Sequence, residues 1–274
     1  MNKKGFTLAE IMGVIVLLAA LALVLIPLVD KQLKDSNQKL YNSSIDSLKN
    51  SMGLYMADKN LDINESLTIS LYQLKQTGLI DTDFKNPVTG EYFANDIIIT
   101  AKNVDGALVY EINDENATNN SDYKSLPEMI LNKNVIEYIE LGEEFVVDET
   151  DVSSKYGTEV LTTTVNSDVD KTKIGIYTVE YETTYKNMKN KVYRTIIIKD
   201  TKGPTISFKE LSLPLSEAKK YDYKSDITVN DLSGVKSIEV ETKFGALTGL
   251  YSVKYTVTDN VDNKTIKYRK VITS

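Results

Sequence analysis

Residues Ile11 to Val29 carry no charge, and this run limits what the rest of the chain can be. At about 1.5 Å of rise per residue, such a run covers roughly 28 Å, the thickness of a bilayer's hydrocarbon core. It predicts a membrane-spanning helix over 11–29. The apolar pattern does not stop there. Leu33, Leu40, Tyr41, Ile45, Leu48, Met52, Tyr55 and Met56 recur at spacings of three, four and seven, with polar residues between them. That is one apolar stripe on a helix. Together the two stretches predict a single helix over 6–57, its first half in an apolar medium and its second half packed under a sheet. Pro27 removes one helical hydrogen bond, so a bend is expected there. Gly53 weakens the last turns. A separate coiled-coil stalk over 31–57 would need a longer stripe than this one.

The residues before the run are more specific than its length. Lys3-Lys4-Gly5-Phe6-Thr7-Leu8-Ala9-Glu10 resembles the N-terminus of a type IV prepilin or pseudopilin. The resemblance implies that residues 1–5 are a leader, removed by a prepilin peptidase between Gly5 and Phe6. Phe6 would become the new N-terminus and be N-methylated by the same peptidase/methyltransferase. Glu10 would become the fifth residue of the mature chain. A carboxylate in hydrocarbon costs roughly 3 kcal/mol or more, so Glu10 calls for a partner. The resemblance supplies one, the free Phe6 amine of a neighbouring subunit. It also supplies a bend at Pro27 and further partners, other pilin subunits that pack through the helix. A secretory signal peptide would instead want small residues after the apolar run, and Pro27-Leu28-Val29-Asp30 is a poor match. Lysines flank both ends of the run, with Lys31, Lys34 and Lys39 beyond it, so charge counting leaves the orientation open. The resemblance places the C-terminal bulk outside the cell as a single-pass membrane protein.

The remainder reads as several domains, since 274 residues exceed one small domain. Residues 58–113 read as a small pilin-like head. Leu67, Leu71 and Leu74 sit at helical spacing over 67–76, and Gly78 stands where a helix cap would. Asn86-Pro87-Val88-Thr89-Gly90 is a turn signal. Ile97–Ile99 and Ala107–Ile112 flank Asn103-Val104-Asp105-Gly106, the pattern of a hairpin with an Asp-Gly turn. Residues 114–126 are polar and acidic and read as a linker. Asp105, Asp114, Glu115 and Asp122 could offer oxygen to calcium, but their spacing follows no EF-hand order. Solvated linker residues are the simpler reading, and no metal site is assigned.

Beyond the linker lies an internal repeat. Gly175-Ile176-Tyr177-Thr178-Val179-Glu180-Tyr181 returns as Gly249-Leu250-Tyr251-Ser252-Val253-Lys254-Tyr255, and Tyr193-Arg194 returns as Tyr268-Arg269. One face of each strand carries Tyr, Val and Tyr while the other is polar, the period of a sandwich strand with one wet face. Polar turns are expected over 186–190 and 259–264. Asp200-Thr201-Lys202-Gly203-Pro204 reads as a short stiff linker between copies. Residues 127–200 and 205–274 resemble bacterial Ig-like domains, through the Gly-x-Tyr-x-Val-x-Tyr strand, Thr258 to Asn260 and Asp231 to Gly234. Such modules serve as spacers, and in adhesins they bind an unidentified surface ligand.

The expected fold is therefore α+β: a long transmembrane and amphipathic helix with a small pilin-like head, followed by two all-β Ig-like sandwiches. The 17 tyrosines, with many valines, isoleucines and threonines, suit those strands. There is no cysteine or histidine to act as nucleophile or base, and no phosphate loop or dinucleotide fingerprint, so neither catalysis nor a cofactor is expected. A net charge of −7 gives no bulk attraction for DNA, so no direct nucleic-acid partner is expected. Abundant lysine and asparagine with little arginine point to an AT-rich, Gram-positive source. The resemblances together imply a minor pilin or pseudopilin-like subunit of a type IV pilus or type II secretion-like filament. The alternative is a membrane-anchored adhesin or spacer that does not polymerise.

Overall fold

Thr7 starts the long helix. In this computed structural model, which describes residues 7–274, α1 spans Leu8–Tyr55, 48 residues or about 72 Å. Gly5 and Phe6 lie outside the described residues. The helix runs on through Pro27. Its stripe engages only in the last turns. Leu33 and Leu40 stand exposed, Tyr41 and Ile45 are half-buried, and Leu48 and Met52 are fully enclosed. The chain forms two compact units. The first runs to Met129 and adds Lys155–Leu161 and Thr183–Val192. The second holds Ile130–Ser154, Thr162–Glu182 and Tyr193–Ser274.

In the first unit, α1 packs on a three-stranded antiparallel sheet of β1 (Ser66–Ser70), β2 (Ile98–Val104) and β3 (Ala107–Asn113), in that order. Gly53 is where the helix comes closest: a Cβ there would sit 3.3 Å from the Tyr110 hydroxyl on β3. The helix expected over 67–76 is half strand. Leu67 and Ile69 alternate with Ser66, Thr68 and Ser70, so residues 66–70 pair with β2, and only Leu71–Gln76 forms a helix, α2. The local signal that separates them is Ser70. Its Oγ accepts the Gln73 N–H at 3.2 Å while Gln73 Oε1 accepts the Ser70 N–H at 3.0 Å, a capping box. Gly78 then takes the left-handed conformation just past the helix, as a C-terminal glycine should. The Asp105-Gly106 turn joins β2 and β3 with both residues at positive φ. Gly90 closes the Asn86 turn, its N–H donating to the Asn86 carbonyl at 2.8 Å.

Residues 114–126, read as a solvated linker, are held against this head. The Asn95 side chain donates to the carbonyls of Asn119 and Ser121 at 3.2 and 2.8 Å. Buried Lys75 donates to Asn95 Oδ1 at 2.9 Å. The unit also takes in the hairpin end of the first repeat. Ser70 Oγ donates to the Lys191 carbonyl at 3.1 Å, and Asn190 Nδ2 to the Pro127 carbonyl at 2.8 Å.

Both repeats follow one plan. In the first, β4 (Glu128–Leu131), β6 (Val152–Tyr156) and β7 (Glu159–Val160) form one sheet. β5 (Ile136–Glu140), β8 (Thr163–Asn166), β9 (Gly175–Tyr185) and β10 (Met188–Lys199) form the other, ordered β5-β10-β9-β8. In the second, β11 (Thr205–Ser207) pairs with β13 (Thr228–Asn230). Opposite them stand β12 (Leu211–Leu213), β14 (Val235–Thr242), β15 (Gly249–Asp259) and β16 (Lys264–Thr273), ordered β12-β16-β15-β14. A one-turn helix, α3 (Leu215–Ala218), follows β12. In each large sheet the first strand pairs in parallel with the last, Ile136 opposite Thr195 and Leu211 opposite Val271. The alternation read from the sequence holds on β9 and β15, where Val179, Tyr181, Val253 and Tyr255 face the core. The turn expected over 186–190 is shorter. Lys186 takes a positive φ, and Met188–Asn190 already belongs to β10.

The repeated arginine marks the centre of each copy. Arg194 Nη1 donates to Asp151 Oδ2 at 2.5 Å, its Nη2 reaches Glu137, and its Nε donates to the Asn134 carbonyl at 3.0 Å. The Tyr181 hydroxyl donates to the same Asp151 oxygen at 2.7 Å. In the second copy, Arg269 forks onto Asp226 at 2.7 and 2.6 Å and donates to the Lys209 carbonyl at 2.5 Å. Both guanidiniums are enclosed, and each buried charge is matched by a carboxylate and a carbonyl, as burial demands.

Candidate functional site

The site is built on the exposed part of α1. Thr7 caps the helix: its Oγ1 accepts the Glu10 N–H at 3.3 Å. Glu10 Oε2 in turn accepts the Thr7 N–H at 2.8 Å and its hydroxyl at 2.9 Å. The negative charge thus lies on the positive end of the helix dipole, where it is stabilised. Glu10 remains exposed beyond this local partner.

From Leu8 to Val29 the large apolar side chains stand 47–78% exposed. They point in every direction around the helix, so they form a rod without a polar face. At about 1.5–3 kcal/mol for each such side chain removed from water, covering this rod is worth on the order of 20–40 kcal/mol. That exceeds the whole stability of a typical domain, about 5–15 kcal/mol. The helix is long and apolar enough to cross a membrane, and its most apolar window is wholly unburied. Pro27 lies within this rod, where the missing N–H leaves the Leu23 carbonyl without its usual donor.

Among the four residues singled out in the sequence, the structure places Glu10 at the first turn and Pro27 near the far end of the rod. Gly5 and Phe6 are outside the described residues. Where the rod ends, the helix is tied to the head. Tyr41 donates to Asp114 Oδ2 at 2.5 Å, and burial together with this carboxylate pushes the phenol up to about 12. Ser51 Oγ donates to the Leu79 carbonyl at 3.0 Å.

The acidic residues considered for calcium do not converge: Asp114 holds Tyr41, and Asp122 caps the short helical turn at Tyr123–Ser125. Among the described residues, a different group does. One carboxylate oxygen each from Asp200, Asp231 and Asp259 lies within 4.8 Å of the others. Nothing local in the sequence groups them, because they come from the linker and from two turns of the second sandwich.

No protein-family model matches this chain, and no curated protein matches it. Solved structures do. A lipoprotein from Bacteroides thetaiotaomicron aligns over 52% of this chain and 98% of its own, at 13% identity and a TM-score of 0.26. Four extracellular cadherin domains of protocadherin gamma B7 align over 64% of this chain and 56% of theirs, at 12% identity and a TM-score of 0.22. Likeness at this level says nothing about activity, partners or site residues.

Proposed function

We propose that this chain is a minor pilin or pseudopilin-like structural subunit of a type IV pilus or type II secretion-like filament. The rod of α1 carries the reading: a fully apolar helix surface that must be covered, with one carboxylate at its end and a folded head on its other half. The membrane covers the rod before assembly, and the helices of other subunits cover it afterwards. Cleavage after Gly5 by a prepilin peptidase frees the Phe6 amine, and Glu10 exchanges its Thr7 partner for that amine on a neighbouring subunit. The two sandwiches lie outside the cell. Their bulk would crowd a close-packed shaft, which favours a tip or low-copy position.

The test is the mass of the protein from membranes and from sheared surface filaments, for the native chain and for Glu10→Ala. The native chain should begin at Phe6, one methyl heavier, and appear in the sheared fraction. Glu10→Ala should stay in the membrane. A native chain that keeps Met1 and never leaves the membrane refutes the proposal and leaves a tethered adhesin or spacer.

A further inference from the structure

Among the described residues, Lys75 is the buried cation that no carboxylate matches. Arg194 and Arg269 are each paired with one. Lys75 is 2% exposed, and its partner is the Asn95 amide oxygen at 2.9 Å. A buried ammonium held only by a neutral group is costly, so the neutral amine is favoured there. Burial accordingly lowers Lys75 to about 8, against the opposing pull of Asp122, Asp81 and Asp83. A neutral amine carries a lone pair and is a nucleophile.

Asn95 is held still in front of it. The residue is fully enclosed. Its N–H donates to the Asn119 carbonyl at 2.9 Å, and its own carbonyl accepts the N–H of Tyr72 at 2.9 Å, from the same α2 that carries Lys75. Asn95 Nδ2 donates to the carbonyls of Asn119 and Ser121. Those two acceptors orient the amide, with its nitrogen toward them and its oxygen toward Lys75. Cγ, the carbon an amine attacks, lies one bond beyond that oxygen, about 1.23 Å. We propose that Lys75 and Asn95 become joined by an isopeptide bond. Lys75 Nζ bonds to Asn95 Cγ, the Cγ–Nδ2 bond breaks, and one Nζ hydrogen leaves with Nδ2 as ammonia. An amine and a primary amide become a secondary amide and ammonia, so the step uses no oxidant or reductant. Asp122, the carboxylate that acts most strongly on this amine, is the group suited to carry the proton between the two nitrogens. Enclosure keeps out the water that would otherwise hydrolyse the amide. The bond ties α2 to the segment that leads into β2, in a chain with no cysteine to make a disulfide. The reaction needs the folded head, so freshly folded chain still carries the free amine.

The test is the mass of the full chain, purified in detergent, aged and then denatured. The native chain should weigh about 17 Da less than its sequence counted from its observed N-terminus, the loss of one ammonia. Trypsin should leave it uncut after Lys75 and release one branched peptide in which Lys75 is joined to Asn95. Lys75→Arg and Asn95→Ala should each keep their full mass. The branched peptide of the native chain decides the matter even if both variants misfold. A native chain of full mass, with Lys75 and Asn95 in separate peptides, overturns the proposal. So does a loss of the same size that survives Lys75→Arg, the mark of an asparagine cyclised on its own backbone.

Discussion

Asp151→Asn isolates what the buried arginine of the first repeat contributes. The Asp151 side chain is 3% exposed and Arg194 1% exposed, so the variant leaves a guanidinium in the core with its main anion gone. Breaking a buried pair from one side costs about 3–5 kcal/mol. Three partners survive: Glu137, which is 39% exposed, the Asn134 carbonyl, and the Tyr181 hydroxyl, which accepts from Nη1 at 3.3 Å. They hold the expected loss near the lower bound, about 3 kcal/mol. At roughly 2–4 °C per kcal/mol, the melting of this unit should fall by about 6–12 °C. The matched change in the second repeat, Asp226→Asn, should cost less, because Asp226 is 34% exposed and water can reach the fork. A chain of several domains need not melt in one step. Hydrogen exchange is therefore the proper assay, read on peptides from β9 and β10 for one variant and from β15 and β16 for the other. The double change Asp151→Leu with Arg194→Met should recover much of the loss, since an apolar replacement of a buried pair is often neutral. If Asp151→Asn shifts protection by less than about 0.5 kcal/mol, the level of an ordinary surface change, the arginine is not held as described.

Two further outcomes concern the head, read on freshly folded chain with Lys75 still a free amine. Burial lowers Lys75 to about 8, so between pH 8 and about 10 the unfolded chain holds a proton there that the folded chain has released. Stability of the first unit should therefore rise over that interval. Burial raises Tyr55 to about 12, so above pH 10 the unfolded chain loses protons first and stability should fall again. Exchange protection of β1 to β3 measured against pH reads both limbs, and Lys75→Gln should flatten the rising one; a rise that survives the change refutes this account. Leu48→Ala, at a fully enclosed position under the sheet, should lower head stability by about 2–5 kcal/mol without altering exchange in β14 to β16.

The sequence announced the features whose cause is local. The Asp105-Gly106 hairpin, the Gly78 cap and the Tyr-Val-Tyr faces of β9 and β15 follow from residues adjacent in the chain. Residues 67–70 were misleading because Leu67 and Leu71 fit a helix as well as Leu67 and Ile69 fit a strand. Pairing with β2, thirty residues on, settles the matter. Arg194 and Arg269 were visible as a repeat but not as buried charges, since nothing nearby identifies Asp151 or Asp226 as their partners. The group of Asp200, Asp231 and Asp259 was hidden for the same reason. In the rod, by contrast, composition alone fixed the essential property, an apolar surface with no face to hide.

The parallel pairing at the edge of each large sheet bears on tension. A repeat enters its sheet through β5 or β12 and leaves it through β10 or β16. Because those strands run in the same direction, a pull carried to the start of β5 or β12 and the end of β10 or β16 slides one strand along the other. The bonds from Thr195–Lys199 to Ile136–Glu140 are then strained together, in shear, whereas a hairpin pulled at its open end would unzip one rung at a time. The same geometry recurs where Leu211–Leu213 lies along Val271–Thr273. Each repeat is thus wired to resist stretching along the chain.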